Sequence, residues 1–197
     1  MYILMDFEVT SLQKPALFLC IQMELCDMTL KEYMMTKIYH DNHTTRLSFW
    51  YGLINAVHHL HGYNIVHRDI KPSNIFFKDG IIKLADFGLA CQNINNITSK
   101  KSIDIGCSYY RAPEIDSGYY NSSIDIYSVG IILIELLLQY NTMYEKDQLI
   151  SSMLKTKELP KLMINIYNDL IVQMISIDSI LRPNTMNIIK KIEKIIL

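Results

Sequence analysis

Four polar side chains near the middle of the chain have the types and spacing to act together: Asp69, Lys71, Asn74 and Asp86. Three lie in Val66-His67-Arg68-Asp69-Ile70-Lys71-Pro72-Ser73-Asn74, and the fourth opens Asp86-Phe87-Gly88, twelve residues after Asn74. A carboxylate such as Asp69 can accept or orient a hydroxyl proton. A lysine two residues on brings a cation within reach of that hydroxyl and of a phosphate. Asn74 and Asp86 add hard oxygen ligands of the kind magnesium takes. Such a set suits phosphoryl transfer, which is mostly positioning plus neutralisation of phosphate charge. Taken singly, an Asp in a loop usually caps a turn and a His beside an Arg is usually solvated, so the order of the residues carries the reading.

That order, HRD-x-K-x-x-N followed by DFG, resembles the catalytic and metal-binding loops of the eukaryotic-type serine/threonine protein kinases and departs at no defining position. The resemblance implies ATP and Mg2+ as cofactors. Asp69 and Lys71 become the catalytic residues, Lys71 also contacts nucleotide, and Asn74 and Asp86 hold the metal. Phe87 packs under His67, and Gly88 completes the metal loop. The Lys of Asp-x-Lys-x-x-Asn resembles serine/threonine rather than tyrosine kinases. Downstream, Gly106-Cys-Ser-Tyr-Tyr-Arg-Ala-Pro-Glu114 resembles the end of the activation loop, and Asp125-Ile-Tyr-Ser-Val-Gly130 the start of the central helix of the large lobe. There Asp125 accepts backbone hydrogen bonds from the catalytic loop. Leu181-Arg182-Pro183 resembles the last family signature, which predicts an Arg182–Glu114 ion pair.

Upstream, Phe18 to Cys26 followed by Thr29-Leu30 resembles the fifth strand and hinge, nearest in type to the stress-responsive kinases of the alpha subunit of translation initiation factor two. By that resemblance Met23 is the gatekeeper, and the backbone from Glu24 to Cys26 binds adenine. Arg68 implies a basic pocket for a phosphorylated residue in the activation loop, with Thr98, Ser99 and Ser102 as candidates. Cys107 stands where the family has Thr. A thiol is a weak donor and acceptor, so the network around Asp69 and Lys71 is expected to be looser there.

These residues need elements to hold them. The spacing of Leu47, Trp50, Tyr51, Ile54, Val57 and Leu60 predicts a helix over 44–61, with Gly62 as its stop. Strands are expected at 75–77 and 81–84 around a Lys78-Asp79-Gly80 turn, and a polar surface loop over 91–105. Helices are expected near 124–139, 145–155, 162–175 and 184–196. Two apolar strand-like runs, 2–5 and 16–23, open the chain. The expected fold is mainly α with a small β component: a protein-kinase-like C-terminal lobe over 27–197, with remnant small-lobe strands and hinge over 1–26.

The sequence breaks the family pattern at its start. Its first glycine is Gly52 and its only lysine before the hinge is Lys14, so neither a Gly-rich loop nor a phosphate-binding lysine strand precedes the hinge. Weakened nucleotide binding is the expectation, and a start lying upstream in a longer gene is an alternative. A second functional reading is a kinase-like binding module that docks partners without turnover.

Composition excludes little else. The chain has 197 residues, half of them hydrophobic, and a net charge of −1, which gives no pull toward nucleic acid or acidic membrane. Cys20, Cys26, Cys91 and Cys107 lack zinc-knuckle or dithiol spacing, which favours reduced thiols. No basic leader precedes Val9, and the apolar run 124–140 is short for a bilayer span and carries Asp125 and Glu135. A cytoplasmic location is expected, with nuclear as the alternative. The expected partners are a protein substrate presenting Ser or Thr, with a translation initiation factor subunit as one candidate, and a second kinase chain as dimer partner.

Overall fold

The computed structural model describes residues 22–36, 43–92, 109–117, 121–138, 140, 142–156, 158 and 167–196. The run 2–5, most of the run 16–23, and Thr98, Ser99, Ser102 and Cys107 lie outside the described residues.

Strand β1 (Met28–Thr29) leads into the one-turn helix α1 (Leu30–Tyr33), then α2 (His43–Gly62). Short strand β2 (Ile65–Val66), the hairpin β3 (Ile75–Lys78) and β4 (Ile81–Leu84), and β5 (Cys91–Gln92) follow. Four helices come after these: α3 (Ser123–Leu137), α4 (Met143–Thr156), α5 (Asn168–Met174) and α6 (Thr185–Ile196). The protein is thus mainly α with a small β component.

Helix α2 spans about 30 Å at 1.5 Å per residue. It buries Trp50, Leu53, Ile54, Val57 and Leu60, which recur three and four residues apart. It packs on α3, α6 and β4. Trp50 Nε1 donates to the Val129 carbonyl of α3 at 3.0 Å, so even the indole's polar atom is satisfied in the core. The expected stop at Gly62 moves downstream. Gly62 is the last helical residue, Asn64 N–H still bonds the His61 carbonyl at 3.0 Å, and Asn64 takes the left-handed turn at φ 57°. Asparagine tolerates that conformation better than most side chains.

The hairpin forms as its composition demands. Ile75, Phe77, Ile82 and Leu84 alternate inward, with Phe77 opposite Ile82. Asp79 and Gly80 both have positive φ (50° and 74°), as the two-residue hairpin turn requires. Two short strands had no sequence signal. Met28–Thr29 pairs with Phe77 and Phe76, and Cys91–Gln92, expected in the surface loop, pairs with Val66 and Ile65. Two residues are too few to show alternation. Thr29 also caps α1: its hydroxyl accepts from Glu32 N at 3.1 Å, and Glu32 Oε2 accepts from Thr29 N at 2.8 Å.

Helix α3 is buried along nearly its whole length, as expected of a core helix apolar on every side. A Cβ added at Gly130 would stand 2.9 Å from both Met174 Cβ and Ile175 Cγ2. Glycine is therefore what lets the end of α5 approach α3. Among the described residues no helix is long and apolar enough to cross a membrane.

Candidate active site

Asp125 organises the site from the first turn of α3. Its carboxylate is fully buried. Oδ2 accepts from His67 N and from His61 Nε2, both at 2.9 Å, and Oδ1 accepts from Arg68 N at 2.9 Å. Arg68 sits at φ 70°, a left-handed conformation that costs a non-glycine residue roughly 1–3 kcal/mol. The Asp125 bonds hold the chain in it. Arg68 Nε donates to the Leu89 carbonyl, joining the loop to the segment after β4.

His67 makes the second tie. Its ring is buried, and that burial pushes its pKa below the usual 6.5 despite Asp125 nearby. The bonds agree with a neutral ring. Nε2 donates to the Ala85 carbonyl at 3.0 Å, and Nδ1 accepts from Asp69 N at 3.3 Å. Phe87 packs against it with centroids 4.9 Å apart.

This frame brings the polar residues together. Asp69 Oδ2 lies 2.8 Å from Lys71 Nζ and accepts from Asn74 Nδ2 at 2.9 Å. The same amide nitrogen donates to the Asp69 carbonyl at 2.9 Å. Asn74 leads into β3, Ala85 follows β4, and the Ala85 N–H bonds the Asn74 carbonyl at 2.9 Å. Hairpin register therefore sets Asp86 next to Asn74. Asp86 itself has φ 64°, and its Oδ1 accepts from Gly88 N at 3.3 Å. A Cβ at Gly88 would lie 3.2 Å from that oxygen.

The donor set fits magnesium. Asn74 commits its nitrogen to Asp69, its amide oxygen accepts only a long 3.4 Å bond from Ser73 Oγ, and Asp86 adds a carboxylate. Two hard oxygens are what Mg2+ takes from protein when waters and phosphates complete its shell. Among the described residues no group of three His, Cys, Asp or Glu could hold a metal alone. A cation held here would need further ligands from outside this pair.

The described residues expected to form the hinge lie beside the hairpin. Glu24 pairs with Lys83 of β4, and Cys26 Sγ is 3.8 Å from the Glu24 carbonyl. Asp27 accepts from Asp79 N at 2.9 Å, and its N–H bonds the Phe77 carbonyl at 2.8 Å. The Asp79 bond holds the Asp27 carboxyl below its usual range. Met23 is 70% exposed.

Farther off, Arg182 and Glu114 meet as a bidentate pair at 2.5 and 2.8 Å. Arg182 also donates to the Ser176 and Ser123 carbonyls, and its guanidinium lies 5.1 Å from the Tyr127 ring centroid. Sequence reasoning missed His61, whose bond to Asp125 crosses 64 positions, and Ser128, whose hydroxyl donates to the Tyr110 carbonyl at 2.7 Å. Neither has a local signal, though a buried Asp in an apolar helix already requires donors.

Comparisons with known proteins agree with this geometry. The protein kinase domain family matches residues 8–192. Over 119 residues, 59% of this chain, the sequence is 44% identical to the membrane-associated tyrosine- and threonine-specific cdc2-inhibitory kinase wee-1.3 of Caenorhabditis elegans, and the match covers 17% of that protein. Over 162 residues, 74% of this chain, it is 32% identical to eukaryotic translation initiation factor 2-alpha kinase 3 of Rattus norvegicus, covering 15% of it. For eukaryotic translation initiation factor 2-alpha kinase 1 of Mus musculus the figures are 29% over 170 residues, 74% of this chain and 27% of the relative. The chain thus spans under a third of the length of these relatives.

Proposed function

The chain belongs to the protein kinase domain family, and from that premise we propose that it transfers the ATP γ-phosphate to a Ser or Thr hydroxyl of a protein. One observation carries the reading: Asp69 bonds both Lys71 and Asn74, and the hairpin register puts Asp86 next to Asn74.

In this reading the substrate hydroxyl approaches Asp69, which orients it and takes its proton. The hydroxyl oxygen forms a bond to the γ-phosphorus as the bond to the β,γ-bridging oxygen breaks, and ADP leaves. Lys71 holds the Asp69 carboxylate and lends positive charge to the transferred group. Asn74 and Asp86 would hold Mg2+, which neutralises phosphate charge when bound. The backbone from Glu24 to Cys26 would bind adenine, with Met23 as gatekeeper. Among acceptors, the alpha subunit of translation initiation factor two is the first to try, because two relatives carry that substrate in their names. Tyrosine is the competing hydroxyl, because another relative is named for tyrosine and threonine.

The test is transfer of radiolabel from ATP by purified chain against its Asp69→Asn variant, followed by phosphoamino acid analysis. Loss of a general base costs about 10²–10⁴-fold, so the variant should fall by at least that lower bound, with label on Ser or Thr. Equal incorporation by both proteins would indicate a kinase-like binding module and overturn the proposal.

A further inference from the structure

Glu135 stands in the apolar run Ile131-Ile-Leu-Ile-Glu-Leu-Leu137 of α3 and is fully buried. A carboxylate there is tolerable only with a counter-charge and hydrogen-bond donors around it. Lys146 of α4 brings the charge. It is 3% exposed, with Nζ 2.7 Å from Glu135 Oε1. The donors come from a third region: Tyr110 OH reaches the same oxygen at 2.6 Å and Tyr109 OH at 3.0 Å. Tyr109 OH is also 3.0 Å from Asp147 Oδ1, and Lys146 Nζ is 3.5 Å from that oxygen. Burial, then the Glu135 charge, pushes both phenol pKa values up, so both tyrosines remain donors.

Helix α3 links this cluster to the catalytic loop. Asp125, Ser128 and Glu135 fall within an arc of about 80° at 100° per residue. Asp125 fixes His67 and Arg68, Ser128 fixes the Tyr110 carbonyl, and Glu135 fixes the Tyr109 and Tyr110 hydroxyls. One helix face therefore registers segment 109–116 against the loop that carries Asp69.

We propose that Lys146 is a positioning residue that, through Glu135, holds segment 109–116 in register with the catalytic loop and so governs how a protein acceptor meets Asp69. The holding of the segment stands on geometry alone, and the effect on the acceptor rests on the kinase reading. Without Lys146, Glu135 loses the cation 2.7 Å from its Oε1, and α3 and the tyrosine segment must part to hydrate the buried carboxylate. Removing the charge from Glu135 as well relieves that demand, while a glutamine oxygen still accepts from the tyrosines.

The experiment compares native chain, Lys146→Met and Glu135→Gln/Lys146→Met by hydrogen exchange and by steady-state kinetics with ATP and dephosphorylated casein. In Lys146→Met, amide exchange over 109–116 should rise about tenfold or more while 124–136 changes less than about twofold. The acceptor KM should rise about fivefold or more with the ATP KM steady. The double variant should recover most of both losses, which gives the coupling directly. Unchanged exchange over 109–116, a uniform rise along the chain, or no recovery in the double variant overturns the proposal. An unchanged acceptor KM in an active enzyme removes its effect on the acceptor. If native chain transfers no more label than Asp69→Asn, the kinase reading fails, and exchange alone decides whether Lys146 holds the segment.

Discussion

Segment 66–74, the proposed catalytic loop, and segment 22–27, the proposed hinge, are both short irregular segments that must present polar groups in fixed places, and they are held in opposite ways. The loop is tied to a buried carboxylate, Asp125, through two backbone N–H groups and His61, and braced by the buried His67 ring against Ala85 and Phe87. The hinge lies on the surface, with Leu25 87% exposed, and is held by Glu24 to Lys83 and by Asp27 to the hairpin turn. A charge interaction out of water is worth several times the same contact in water. That contrast explains why the loop can keep Arg68 at φ 70°. Strain persists where surroundings over-determine the backbone, and only one of the two segments is built that way.

The sharpest way to break the contrast is Asp125→Ala. It strands three donors beneath the loop, each costing about 1–3 kcal/mol when buried unsatisfied. The loss is a large share of a typical domain stability of about 5–15 kcal/mol. The variant should show a strongly lowered urea midpoint, or fail to fold. Next is Arg182→Met, which removes the bidentate Arg182–Glu114 pair. Breaking a largely buried pair costs about 3–5 kcal/mol, read from the same denaturation curves. Gly130→Ala should cost about 1–3 kcal/mol, because the new methyl would stand 2.9 Å from Met174 and Ile175.

His67 adds a pH dependence near neutrality on the loop side. Its folded pKa lies below the unfolded value of 6.5, so below that pH the unfolded chain binds more protons than the folded one. The contribution of the neutral ring is intact above pH 6.5 and declines as pH falls toward the folded pKa, by at most about 1.4 kcal/mol per pH unit. Urea midpoints at about pH 7.5, 6.5 and 5.5 should trace that decline, and His67→Gln should flatten it. A slope unaltered by the substitution would place the pH response elsewhere.

Much of this frame was legible in the residues. The order of polar types from His67 to Asp86 pointed to the candidate site, and the apolar spacing of α2 and alternation of the hairpin gave the elements that carry it. Legible features were either strongly periodic or fixed in type at fixed intervals. Met28–Thr29 and Cys91–Gln92 were not, because a two-residue strand exists only through its partner. Lys146 was hidden for a related reason. Its neighbours Met-Tyr-Glu and Asp-Gln read as an exposed helix face, and only Glu135, eleven positions earlier in an apolar run, demands that a cation turn inward. The legible half of a buried ion pair was the carboxylate, since the helix around it has no other polar side chain from Ile131 to Leu138.

The smallest expected effect belongs to the hinge and is the one that separates the two regimes most cleanly. Glu24 pairs with Lys83 while its own side chain is 33% exposed, so water and ions reach the pair. Exposed pairs contribute about 0–1 kcal/mol and weaken as salt shortens the Debye length. Glu24→Gln should therefore lower the urea midpoint slightly at low salt, and the difference should vanish by about 0.5 M NaCl. The Arg182→Met deficit should persist across the same series, because its pair is screened by protein rather than by solvent. A salt-resistant loss in Glu24→Gln would show that the hinge is anchored as the loop is, and the division between a buried loop frame and a surface-held hinge would have to be abandoned.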